Sequence, residues 1–237
     1  MNLQSALFEA NKILAKNNIQ SSKLDSEILL SKVLNKDRKF IILNLDKSLD
    51  YANYKKFKNL ISQRLVGRPI AHIIEKKDFW KYEFKISDSA LIPRPDTEIL
   101  IEQILKNYSK NDTLSVLDIG TGSGCIVLSL LKLFKNFRGV AIDISKKALN
   151  VAKYNAKMHQ LDNRVKFFKS SVDNFFKGKY DLIVSNPPYI NNKSLKHLDE
   201  GIFKHEPNVA LEGGDDGLSL IKKVIIRSSK LLKKNGK

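Results

Sequence analysis

The sequence predicts an α/β protein, a doubly wound parallel sheet preceded by a small all-helical domain. Short apolar runs at 114–119, 139–142, 165–168 and 180–184 alternate with stretches of helical period, the pattern of parallel strands joined by crossover helices. A glycine-rich loop, Gly120-Thr121-Gly122-Ser123-Gly124, leads from the first of these strands into a helix. Residues 1 to about 70 carry helical stripes and no cluster of chemically active side chains, as a recognition or stabilising module would.

In chain order, Leu3, Leu7, Ala10 and Leu14 set the first stripe, and Leu24, Ile28 and Leu29 begin a second after the polar break at Gln20-Ser21-Ser22. Tyr54, Phe57, Leu60, Ile61 and Leu65 form a third, which Gly67-Arg68-Pro69 ends, with glycine past the helix and proline behind it. From 71 to 90 the pattern changes. Phe79 to Ile86 alternates and is rich in aromatics, so a short hairpin is expected there, linking the helical domain to a second domain over 91–237. The stiff segment Leu91-Ile92-Pro93-Arg94-Pro95-Asp96-Thr97-Glu98 follows. Its prolines suit the wall of a pocket, and Asp96 or Thr97 is placed to cap the helix through Ile99, Leu100, Ile104 and Leu105.

The glycine loop reads G-x-G-x-G, distinct from the G-x-G-x-x-G spacing of dinucleotide binding. Its glycines let the backbone turn tightly and approach a ligand. The second strand ends in Asp143, about 20 positions past the loop, where a carboxylate accepts from the hydroxyls of a ribose. Ser145 is placed to cap the next helix. The last strand runs into Ser185-Asn186-Pro187-Pro188-Tyr189-Ile190. Two prolines stiffen that exit and hold Asn186 extended. An Asn carbonyl and a backbone carbonyl together accept both hydrogens of an –NH₂ group, and Tyr189 suits stacking on a planar group held there. Ligands of such sheets lie beyond the strands' carboxyl ends, where the glycine loop, Asp143 and Asn186 all fall.

Lys and Arg number 42 against 25 Asp and Glu, a formal charge of +17, which attracts acidic partners, ribonucleoprotein among them. Basic residues are spread along the whole chain. The single Cys125 excludes an internal disulfide and points to a reducing compartment. No run reaches bilayer length and the N-terminus lacks a signal-peptide pattern, so a cytoplasmic protein is expected. His72, His159, His197 and His205 show no metal-ligand spacing, and neither a Ser-His-Asp arrangement nor a P-loop lysine is present.

Asp118-Ile119-Gly120-Thr121-Gly122-Ser123-Gly124, Asp143 and Asn186-Pro187-Pro188-Tyr189 together resemble the class I S-adenosylmethionine-dependent methyltransferases, whose fold is Rossmann-like. Asn-Pro-Pro-Tyr is shared by amino-adenine DNA methyltransferases and glutamine methyltransferases. Phe79-Trp80, residues 91–98, Glu206-Pro207-Asn208-Val209-Ala210-Leu211 and Gly213-Gly214-Asp215-Asp216-Gly217-Leu218 resemble the second branch, the HemK-type peptide chain release factor glutamine methyltransferases. The resemblance spans nearly the whole chain. It implies a helical substrate-recognition domain and S-adenosylmethionine as cofactor, with a release factor glutamine as the target. By that resemblance Gly120 to Gly124 hold the methionine end of the cofactor, Asp143 takes its ribose, and Asn186, Pro187, Pro188 and Tyr189 hold the glutamine. Where the family often places an aromatic against the adenine, counting back from Asn186 gives Ser171, with Phe168, Val172 or Phe175 as substitutes.

Two readings of other classes use the same residues. One is an amino-group DNA or RNA methyltransferase, which the basic charge suits, and the other is a non-catalytic protein that keeps the cofactor fold. In similar methyltransferases the turn at Asn235-Gly236 leads into further strands. The expectation is therefore a C-terminally incomplete domain, with the Asn186-bearing strand on an open sheet edge.

Overall fold

The computed structural model describes residues 1–197 and 200–237, and at 196, 197, 200 and 202 the backbone alone. The side chain of His197 therefore lies outside the described residues. The chain divides into two compact units, Met1–Glu75 and Lys76–Lys237.

The first unit holds α1 (Leu3–Lys16), α2 (Ser22–Leu34), α3 (Arg38–Leu43), α4 (Tyr51–Leu65) and α5 (Ile70–Ile74). Asn2 caps α1 by accepting from the Ser5 N–H at 2.9 Å, and the helix buries Leu3, Ala6, Ala10 and Leu14. The buried face of α2 differs from the expected stripe. Leu24 is 42% exposed, while Asp25 and Glu27 are buried beside Leu29 and Leu30. Both carboxylates are paired, Asp25 with Arg64 of α4 at 2.7 Å and Glu27 with Arg38 of α3 at 2.5 Å, and buried charge is tolerated when paired in this way. Gly67, at φ +84°, ends α4 as expected. Pro69 then precedes the further short helix α5, because its fixed φ suits a helix start as well as a stop.

The hairpin, expected as a linker over 71–90, falls within the second compact unit. Its strands β1 (Lys76–Phe79) and β2 (Tyr82–Lys85) are followed by α6 (Glu98–Asn107), β3 (Ser115–Ile119), α7 (Cys125–Leu133), β4 (Arg138–Asp143), α8 (Lys146–Met158), β5 (Val165–Lys169), β6 (Leu182–Ser185), α9 (Glu200–His205) and α10 (Ser219–Leu231). The fully buried Asn155 of α8 fastens β2 as a neighbouring strand would. Its Oδ1 accepts from the Lys85 N–H at 2.8 Å, and its Nδ2 donates to the carbonyls of Lys85 at 3.0 Å and Ser123 at 2.9 Å. One amide thus ties the hairpin to the glycine loop.

The main sheet is parallel, in the order β5-β4-β3-β6. Ile119 pairs with Ile142 and with Ser185, and Asp143 with Lys169, so the strands end in register. β3 sits where the connections reverse, β4 lying on one side of it and β6 on the other, and a crevice opens at the carboxyl ends there. The expected open edge at β6 is covered along its first half. Tyr180 N–H donates to Leu231 O at 2.9 Å, Lys233 N–H to Tyr180 O at 2.9 Å, Ile183 N–H to Lys237 O at 2.8 Å and Lys237 N–H to Asp181 O at 3.0 Å. A stretch too short to read as a strand pairs with the edge through the turn at Asn235, whose φ is +66°.

Candidate active site

Each loop at the carboxyl end of the sheet is set by local chemistry. Gly120, Gly122 and Gly124 lie at φ +73°, +56° and +82°, the left-handed region that side chains rarely enter. A Cβ added at Gly120 would meet no atom within 4 Å, whereas one at Gly124 would lie 3.1 Å from Leu128 and 3.2 Å from Ala152. Gly120 therefore opens space, and Gly124 lets α7 pack on α8. Gly120, Gly122 and Ser123 line the cavity described below, but Thr121 and Gly124 do not. The Thr121 hydroxyl turns inward and donates to Asp118 at 2.7 Å. Thr121 and Gly124, expected among the cofactor-binding residues, thus lie off the cavity lining and shape the loop.

Burial pushes the Asp118 carboxyl up from its ordinary 3.8 to about 7, with the Thr121 hydroxyl pulling the other way. The folded chain thus keeps a proton that the unfolded chain has released between about pH 4 and pH 7, and stability falls as pH rises through that window. The full difference is on the order of 4 kcal/mol. Thermal unfolding without ligand should show a melting temperature that declines from pH 5 to pH 8. Asp118→Asn should flatten the decline and melt higher than wild type at pH 8. A wild-type melting temperature that rises over that range would contradict this account of Asp118.

Asp143 is gripped by backbone. Its Oδ2 accepts from the Gly122 N–H at 2.9 Å and its Oδ1 from the Ser145 N–H at 2.8 Å. Each oxygen keeps lone pairs for the hydroxyls of a diol. Ser145 caps α8 as expected, accepting from the Ala148 N–H at 3.2 Å.

Across the crevice, Asn186 Nδ2 donates to Thr97 Oγ1 at 2.9 Å. Thr97 is thus not the helix cap expected of it, for its side chain makes no cap bond to α6. Asn186, Pro187 and Pro188 line the cavity, whereas Tyr189 does not and is 64% exposed. Tyr189, expected to stack on the target group, thus stands at the exposed side of the strand exit, outside the cavity lining. Its backbone is held by close glycine packing, since a Cβ on Gly213 would lie 2.7 Å from Tyr189 Cα. The neighbouring Ile190 accepts from the Gly213 N–H at 2.8 Å.

These loops enclose a cavity of about 610 Å³, within the range of small-ligand sites. Ile142, Ile144, Ser171 and Val172 line the Asp143 side, and Pro93, Arg94, Pro207 and Val209 line another wall. Phe168 and Phe175 pack on each other with centroids 6.0 Å apart and do not line it. Of the residues considered for the adenine contact, Ser171 and Val172 reach the cavity. The proline-rich wall is joined to the 206–211 segment by Glu206, whose side chain is 1% exposed and pairs with Arg94 at 2.5 Å. Glu206 also accepts from the Ile92 N–H at 3.2 Å. Cys125 lines the cavity, but burial pushes its thiol up to about 12, which rules out a thiolate nucleophile at neutral pH.

Two contributors were hidden in the sequence. Thr97 reads as a cap, and Glu206 stands only as the first residue of the 206–211 stretch that carries the resemblance; the three-dimensional contacts give them these roles.

Residues 94–237 match the methyltransferase small domain family and residues 5–74 the PrmC N-terminal domain. A release factor glutamine methyltransferase of Clostridium acetobutylicum is 38% identical over 239 residues, covering 100% of this chain and 84% of that protein. One from Buchnera aphidicola subsp. Schizaphis graminum is 42% identical over 232 residues, covering 98% of this chain and 82% of its own. Among solved structures, the hMettl16 catalytic domain in complex with MAT2A 3'UTR hairpin 6 has a TM-score of 0.52 at 20% identity, over 63% of this chain and 58% of that one. That likeness concerns the fold alone. With relatives at this identity matched over more than four fifths of their own length, and both halves of the chain matched by family models, the chain belongs to the release factor glutamine methyltransferase family.

Proposed function

We propose that this chain methylates the side-chain amide nitrogen of a glutamine in a peptide chain release factor, with S-adenosylmethionine as methyl donor. One observation carries the reading: the Asn186-Pro187 strand end shares one cavity with the glycine loop and Asp143. The residues present fit that cofactor. The opening at Gly120 admits a close backbone approach, Asp143 has lone pairs to spare for a ribose, and Ile142, Ile144, Ser171 and Val172 offer a largely apolar slot for adenine.

When bound, S-adenosylmethionine supplies an electrophilic methyl group on a sulfonium. The chain's task is to make a poor nucleophile attack, because an amide lone pair is delocalised into its carbonyl. Asn186 Oδ1 and the Pro187 carbonyl accept the two hydrogens of the target –NH₂. Their pull strengthens as the nitrogen gains positive charge, so it favours the transition state over the ground state. Holding the nitrogen at the rigid proline exit supplies the orientation. Asp143 accepts from two backbone N–H groups, and Asp173 on the cavity wall pairs with Lys223 at 3.0 Å. No strong general base is needed if the proton leaves to water after transfer.

The helical unit is assigned to docking the protein substrate. The cytoplasm is the proposed location; no helix among the described residues is long and apolar enough to cross a membrane. The charge of +17 favours encounter with acidic surfaces, the ribosome included. Transfer of a labelled methyl group from S-adenosylmethionine, offered release factor and DNA in parallel, tests the reading. Label on a release factor glutamine is the expected result. Label on DNA alone, or on neither, overturns it.

A further inference from the structure

We propose that Thr97 is a positioning residue for methyl transfer, holding the Asn186 carboxamide so that its oxygen end faces the target nitrogen. The inference rests on the function proposed above. A carboxamide offers a donor end and an acceptor end of nearly equal shape, and only the oxygen can receive a hydrogen from a target –NH₂. With Nδ2 bound to Thr97 Oγ1 at 2.9 Å, Oδ1 is the end left for the target. Turned over, the amide would set two donors against each other and forfeit the interaction that favours the transition state.

The threonine is itself held firmly. It is 8% exposed and lines the cavity. It sits in a single 3₁₀ turn, Pro95–Thr97, where its N–H donates to Arg94 O at 3.1 Å. The next residue, Glu98, accepts from the Trp80 N–H at 2.8 Å, and Trp80 stands at φ +57° in the hairpin turn, a conformation uncommon for a bulky side chain. The hairpin thus clamps the start of α6, and that start carries the hydroxyl. The supporting shell is what keeps a site's geometry within working tolerance.

The test uses the full chain, a release factor and S-adenosylmethionine. Wild-type transfer to the release factor glutamine is measured first, and its absence would overturn the function itself. Given that activity, Thr97→Val, which keeps the shape and removes the acceptor, should lower kcat about 10- to 100-fold. The calorimetric Kd for S-adenosylmethionine should stay within about 3-fold and the melting temperature near wild type. Thr97→Ser should recover kcat to within about 3-fold. If Thr97→Val fails to fold, Thr97→Ala, which removes the acceptor without adding a methyl group, carries the same expectations. A kcat near wild type in the variant lacking the hydroxyl would overturn the proposal. So would parallel losses of cofactor affinity and melting temperature, or a serine variant no better than valine.

Discussion

Asn186→Ala should lower methyl transfer to glutamine at least about 100-fold, the scale seen when one preorganised polar contact to a transition state is removed. S-adenosylmethionine affinity should change only a few-fold, because the role proposed for Asn186 is toward the target nitrogen, while Gly120, Gly122 and Asp143 line the cavity from the neighbouring strands. Asn186→Asp should fail as well. Its shape is retained, but a carboxylate has no N–H to give Thr97 and brings a new charge into a largely apolar cavity. Turnover on release factor together with calorimetry on the cofactor decides the matter. Near-normal turnover in Asn186→Ala would remove the residue from the mechanism.

Arg94→Ala should cost about 3 kcal/mol, because it strands a buried carboxylate. The two partners differ in exposure, Glu206 at 1% and Arg94 at 34%, so the two deletions should not be equivalent. Without Arg94, Glu206 keeps the Ile92 N–H among the described residues. Without the carboxylate charge, as in Glu206→Gln, Arg94 can turn to water and the Ile92 N–H keeps an acceptor, so the cost should be smaller. At roughly 2–4 °C per kcal/mol for a unit of this size, Arg94→Ala should lower the melting temperature by roughly 6–12 °C. Cofactor binding should weaken too, because the pair joins two segments of the cavity wall. Equal melting temperatures for the two variants would show that the pair is not buried in the way described.

The parallel sheet could be read from the sequence because each strand is a short apolar run closed by its own loop. Leu114 to Ile119 leads into glycines whose left-handed φ values few other residues adopt, and the run before Asn186 leads into two prolines. Spacing alone placed Asp143 opposite the loop. These are local signals, set by backbone sterics and by the period of burial, so they survive without knowledge of the neighbours. The buried face of α2 was not legible in the same way. Asp25 and Glu27 turn inward because Arg64 and Arg38, distant in sequence, meet them there, while Leu24 faces water.

The glycine loop, Asp143 at the end of the second strand and the proline-locked asparagine were thus determined by the sequence itself, through backbone conformations that only certain residues adopt and through position at a strand end. Tertiary structure decided the rest. It turned Thr97 from a helix cap into the partner of Asn186, 89 positions away. It joined Glu206 to Arg94 across 112 positions, set Tyr189 outside the cavity, and laid residues 231–237 along the β6 edge. All of these are pairings of polar groups or backbone edges between segments far apart in the chain. A hydroxyl, a carboxylate or a free strand edge can satisfy itself with many partners, and only the packed fold determines which partner is within reach.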